Sequence, residues 1–226
     1  MGIGTGRRKD RPAEPQPVPA GPREVVRSED ELRAIIAPPG KAIAEKAIDV
    51  VDPQSRRFIE ASPFFLLATT GPDGMDVSPR GDPPGSVLVT EDGRTLIFAD
   101  RKGNRRLDSF RNILAHPRVG LLFLVPGVNE TLRVNGRATV VRFAPYFDRL
   151  AVRGKRPELA VEVEIDELFL HCAKAFLRSS LWDSTSWPDR AELPSAGRIA
   201  KSQSGTRIPS AVIDAALAAD YRTNQY

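Results

Sequence analysis

Between residues 64 and 141 the chain is a succession of short apolar or alternating runs, each stopped within a few residues by glycine, proline or aspartate. The runs are 64–70, 75–78, 87–90, 95–99, 119–125 and 131–141, and the last is the longest and alternates most cleanly. Gly71-Pro72-Asp73-Gly74, Glu91-Asp92-Gly93-Arg94 and Pro126-Gly127 are turn sequences in the gaps. Strands this close together read as neighbours in a small antiparallel barrel. One segment breaks the pattern. In 107–115, Leu107, Phe110, Ile113 and Leu114 fall on one side at helical spacing.

The flanks read differently. Residues 1–24 are rich in glycine, proline and charge, and a disordered tail is expected there. Order is expected to begin near Ser28, which with Glu31 forms a capping box before Leu32, Ile35 and Ile36. Asp52 followed by Pro53 predicts a second helix start, with Phe58 and Ile59 turned inward. Beyond the barrel, 145–152 reads as helix and 159–165 as strand. Asp166 then reads as the cap of a helix over 167–181, with Leu168, Phe169, Cys172 and Phe176 on its apolar face. A last helix is expected over 210–221. The expected organisation is one domain over 25–226, with its barrel core at about 60–165.

Several function classes drop out. No apolar run approaches the roughly 20 residues of a membrane span, and no signal-like stretch follows the early arginines, so a cytoplasmic protein is expected. Cys172 is the single cysteine, which rules out an internal disulfide framework. With only His116 and His171 beside it, no metal site is expected. The net charge is +4, but half of that excess lies in residues 1–24. The remainder is nearly balanced and has no basic stripe interleaved with aromatics, so no nucleic-acid partner is expected.

Two clusters could carry chemistry. Asp100-Arg101-Lys102-Gly103-Asn104-Arg105-Arg106 lies between a strand and a helix start. Helix N-termini offer free N–H groups and a partial positive charge, and arginine adds a planar fork that matches phosphate. A solvated basic loop is the competing reading. Ser78-Pro79-Arg80-Gly81-Asp82 follows a short strand, and Asp82 there could orient Arg80. An ordinary surface turn competes with that.

The segment 95–141 resembles the FMN-binding core of the pyridoxamine 5'-phosphate oxidase-like split β-barrels. The resemblance is carried by Gly103-Asn104-Arg105-Arg106, by the phrase HPRVGLLF at 116–123 and by RVNGRA at 133–138, in that order. It extends over about residues 60–145, and SPRGD, HCAKAF and RSSLW resemble a bacterial subgroup of undefined substrate. It implies a split antiparallel barrel with flanking helices, FMN as cofactor and a homodimer enclosing each flavin. Residue by residue, it places Asn104, Arg105 and Arg106 at the flavin phosphate with Arg80 near them. It places Phe98 and Ala99 along the ribityl chain and ring, and Thr131 where the family often has glutamine near the ring. The oxidase's Arg-Leu-x-Pro ending is replaced here by AADYRTNQY, so efficient oxidation of pyridoxamine 5'-phosphate is not expected. The implied activity is an FMN-dependent oxidoreductase acting on an unknown small molecule. An F420-dependent reductase of the same fold and a non-catalytic flavin- or haem-binding protein remain the alternatives. A polar face with Lys174 and Arg178, ending at Trp182, is expected to roof the flavin.

Overall fold

The computed structural model describes residues 21–226. Most of the expected N-terminal tail lies outside them. By internal packing the chain divides into 1–44 and 45–226. The first unit holds α1 (Glu29–Ile35) and α2 (Lys41–Ala44). Ser28 caps α1, its hydroxyl accepting from the Glu31 amide at 3.2 Å. The Glu31 carboxylate reaches back to the amide of Arg27 at 2.8 Å, one residue beyond the Ser28 amide of the expected box.

The second unit is built on seven strands. They are β1 (Phe64–Gly71), β2 (Gly74–Gly81), β3 (Leu88–Val89), β4 (Thr95–Ala99), β5 (Arg118–Leu124), β6 (Thr131–Val141) and β7 (Ala160–His171). All pairings are antiparallel, in the order β2-β1-β5-β6-β7-β4-β3. The sheet is not closed by hydrogen bonds, but it curls. β1 and β4 stand four places apart in that order, yet Phe65 and Phe98 meet edge to face at 5.1 Å. Inside the curl lie Leu67, Leu96, Leu121, Phe123, Val134 and Val163, each at most 1% exposed. A barrel curled this far and left open along one line is a split barrel, and the side chains on that line are free to make a site.

Helices flank the sheet. Asp52 caps α3 (Pro53–Ala61), accepting from the amides of Gln54 at 2.9 Å and Ser55 at 3.2 Å, and from the Ser55 hydroxyl. That hydroxyl holds the Asp52 carboxyl below its ordinary value of 3.8. Asp52→Ala is expected to cost about 1 kcal/mol, read as a lower thermal midpoint at neutral pH. Because the folded carboxyl is depressed, the cap's contribution is complete above the unfolded value and is lost as pH falls through the folded one. The gap between wild type and Asp52→Ala should therefore close in acid, and a gap that stays constant to pH 2 would discount the cap.

Three expectations fail. β2 continues through Pro79, Arg80 and Gly81, where a loop was expected. Proline is tolerated there because β2 is an edge strand whose lost donor faces no partner. In α4 (Asp108–Ala115) only Phe110 and Ile113 of the expected apolar face are buried, while Leu107 and Leu114 are 51% and 78% exposed. The helix expected over 167–181 begins as strand. β7 runs to His171, and only α5 (Lys174–Ser179) is helical, so Asp166 lies in the strand and caps nothing. Cys172, expected in the core, is exposed. A bulge explains the misreading. Asn135 pairs with Glu167 but Gly136 with Ile165, so Asp166 is the extra residue. The inward positions Val161, Val163 and Ile165 are thus followed by Leu168, and that three-residue step imitates a helix. After β7 come α6 (Ala196–Ser204) and α7 (Ser210–Thr223).

Candidate functional site in the split of the barrel

β2 leaves the sheet at one edge and β4 lies next to the other, and the curl brings their C-terminal ends together. Arg101, just after β4, donates from Nε to Asp82, just after β2, at 2.7 Å. The same guanidinium donates to the Leu150 carbonyl at 2.8 Å, and both partners of this ion pair are less than a fifth exposed. Ser78 on β2 and Ser109 on α4 share a hydrogen bond of 3.1 Å. These ties hold open a cleft of about 1320 Å³ along the split.

The cleft gathers six of the residues singled out by sequence: Arg80, Phe98, Ala99, Asn104, Arg105 and Arg106. Arg80 projects from β2, opposite Phe65, with its guanidinium 5.9 Å from the Phe110 ring. Burial pushes the Arg80 pKa down, and the Asp100 carboxylate opposes that shift. Asp100 is a mirror image: burial pushes its carboxyl up, and Arg80 pulls it back. Arg80 Nε is buried without a hydrogen-bond partner, as is Asp82 Oδ1. Asp82 therefore does not orient Arg80, as the sequence suggested, but fixes Arg101. Phe98 belongs to the main core, and Ala99 turns the other way, into a smaller cluster with Ile97, Phe147 and Leu150.

The basic loop has an unusual backbone. Arg105 and Leu107 both have φ of 60°, a left-handed conformation that costs a residue with a Cβ roughly 1–2 kcal/mol. Leu107 gives α4 no side-chain cap. Asn104 accepts from the Arg106 amide at 3.0 Å, and Arg106 donates to Asp108 at 2.7 Å. Arg105 and Arg106 are exposed, so the loop presents its guanidinium groups to whatever enters the cleft.

Four of the sequence candidates are not among the cleft-lining residues. Thr131 is buried at the start of β6, opposite His171. Lys174 and Arg178 lie exposed on α5, and the Trp182 indole donates to the Val128 carbonyl at 2.8 Å. Instead the far wall is made by Leu217, Asp220, Tyr221, Asn224, Gln225 and Tyr226. No motif in the sequence pointed to that segment. Among the described residues, no group of three histidine, cysteine or acidic side chains is placed to hold a metal, and no helix is long and apolar enough to cross a membrane.

Comparisons with known proteins bear on the same region. The solved structure of HupZ from Group A Streptococcus is 17% identical, covering 53% of this chain and 93% of its own, with a TM-score of 0.43. A candidate pyridoxamine 5'-phosphate oxidase from Lactobacillus delbrueckii is 22% identical, covering 55% and 98%, with a TM-score of 0.42. General stress protein 26 of Bacillus anthracis is 16% identical, covering 51% and 88%, with a TM-score of 0.36. No curated protein matches the sequence. The family model described as pyridoxamine 5'-phosphate oxidase matches residues 51–172, a span that takes in every strand and the whole basic loop. More than half of the chain follows that model, and the protein belongs to the pyridoxamine 5'-phosphate oxidase family of split β-barrels.

Proposed function

We propose that the cleft binds FMN and that the protein is an FMN-dependent oxidoreductase acting on a small molecule. The observation that carries this reading is the half-buried Arg80 guanidinium with its unpartnered Nε, at one cleft with Asn104, Arg105 and Arg106. A buried cation without a full set of partners is costly, and a bound dianion offsets that cost. On this reading Arg80, Arg105 and Arg106 hold the phosphate, while Phe98 and the backbone at Ala99 lie along the rest of the cofactor. The isoalloxazine ring, when bound, supplies the electron chemistry. The chain's own residues bind and orient it, and the paired Asp82 and Arg101 brace the two sheet edges around it. The absorbance spectrum of the purified, FMN-titrated protein tests this. Flavin bands that follow the protein through gel filtration support it. A protein that stays colourless with FMN in excess, or that carries a Soret band in its place, would falsify it.

The partner we propose is a second copy of this chain. β2 is an edge strand, and its Met75 and Val77 are 73% and 64% exposed. Unpaired edges with apolar side chains are normally covered. A homodimer would also let Lys174, Arg178 or Trp182 of one copy approach the flavin of the other. Light scattering at micromolar concentration is expected to give twice the chain mass, and a flavin-loaded monomer would count against the dimer.

A further inference from the structure

The wall formed by 217–226 lies outside the family match, which stops at 172. Its attachment is uneven. Near the start of α7, Asp214 accepts from the Ser195 hydroxyl and the Gly197 amide, both at 2.7 Å, which docks α7 on α6. Gly197 permits that approach, because a Cβ there would lie 2.3 Å from the Ser210 carbonyl oxygen. Further along, α7 has no buried residue, and Tyr221 is 59% exposed. The segment is then caught again at Tyr226. The tyrosine ring lies 5.9 Å from the Arg101 guanidinium and 5.0 Å from that of Arg153. Its carbonyl oxygen accepts from Lys155 Nζ at 2.8 Å.

The catch is built on fixed parts. Arg101 is held by Asp82 and by the Leu150 carbonyl. Arg153 and Lys155 sit on one tight turn, closed by reciprocal backbone bonds between Val152 and Lys155 and carrying left-handed Arg153 and Gly154. The Arg101 side chain and the backbone turn that carries Arg153 and Lys155 therefore give Tyr226 fixed points of attachment.

We propose that 217–226, the end of α7 with the residues after it, is a lid over the cleft, tied to α6 through Asp214 and latched shut by Tyr226 on Arg101, Arg153 and Lys155. Ligands enter and leave when the latch opens. The proposal rests on the cleft being the cofactor site described above, and adds how that site is gated. A permanent wall would be buried along its length. This one is tied to α6 at Asp214, exposed beyond it and held at Tyr226 by contacts that are individually weak.

Hydrogen–deuterium exchange of the full chain tests the latch without any ligand. Arg153→Gln is expected to speed exchange in 217–226 about two- to fivefold, and Tyr226→Ala by roughly five- to twentyfold, since it removes two cation–π contacts. Tyr226→Phe keeps the ring and should exchange like wild type, and β6 and β7 should be unaffected in all three. Stopped-flow FMN fluorescence then tests the gating. Arg153 does not line the cleft, so Arg153→Gln should speed FMN association and dissociation together and leave affinity unaltered. Unchanged exchange of 217–226 in both Arg153→Gln and Tyr226→Ala overturns the latch. A faster-exchanging lid with unchanged FMN rates overturns the gating. If the wild type binds no FMN, the cofactor reading fails, and the exchange result still decides the latch.

Discussion

Arg80→Ala is expected to weaken FMN binding about 10–100-fold, the usual worth of a charge-assisted hydrogen bond at roughly 1.5–3 kcal/mol. The same substitution is expected to leave the apo protein as stable as wild type, or slightly more so. The reason is that Arg80 is held at a cost. Its guanidinium is half-buried, its Nε has no partner, and the desolvation is opposed by the Asp100 carboxylate and by the Phe110 ring 5.9 Å away. Arginine does not escape this by losing its proton, because it stays charged at any ordinary pH. A stabilising structural arginine would show the reverse pattern, with apo stability falling and affinity following only in proportion. Arg80→Lys should fall between, since an ammonium keeps the charge but not the planar fork. Arg105→Ala should lose affinity by a similar factor, and the two effects need not add, because both groups would share one phosphate. Fluorescence titration for affinity and thermal melts of the apo form separate the cases. An Arg80→Ala protein that binds FMN within twofold of wild type removes Arg80 from the site.

The barrel was legible because its signals are local. The strands at Thr95–Ala99 and Thr131–Val141 and the Asp52-Pro53 helix start fall where turn chemistry and alternation put them. The basic loop was legible for the same reason, since a strand end, a glycine and a helix start are all local features. The way that loop meets Arg80 was not. Arg80 and Arg105 are on segments that come together only when the curl brings the two sheet edges face to face. That closure depends on the whole strand order, and it is why Asp82 was matched to Arg80 in sequence but pairs with Arg101 in space.

Two other features were hidden for different reasons. β7 carries its bulge inside an alternating run, and one extra residue turns a two-residue period into an apparent helical one from Ile165 to Leu168. Nothing in 159–171 alone marks the extra residue. It becomes visible only against the partner strand, where Gly136 and Asn135 skip Asp166. The far wall of the cleft was hidden because its residues, from Leu217 to Tyr226, are the end of a helix with no buried face and the three residues after it. Their position over the cleft comes from docking on α6 and from the catch at Tyr226, which no periodicity records.

Gly136→Ala is expected to be the most destabilising single-methyl change in the barrel. Gly136 lies in the RVNGRA phrase that helped to identify the family, which invites a ligand-binding reading. The geometry gives a packing reason. A Cβ at Gly136 would lie 2.1 Å from the main-chain oxygen of Glu164 and 3.0 Å from Val163 Cγ1. The oxygen belongs to β7, the hydrogen-bonded neighbour of β6, so it cannot rotate away as a flexible side chain would. Relief requires opening the β6–β7 ladder at its bulge, beside Ile165, which is only 5% exposed. Overpacking of this kind costs about 3 kcal/mol, which in a domain of this size lowers the thermal midpoint by roughly 6–12 °C. Gly40→Ala is the control, because no atom lies within 4 Å of the added methyl. Its effect is expected to stay within about 0.5 kcal/mol. Gly136 does not line the cleft, so any Gly136→Ala protein that remains folded should bind FMN with near wild-type affinity. Wild-type melting with lost FMN binding would reverse the assignment and make this glycine a part of the site.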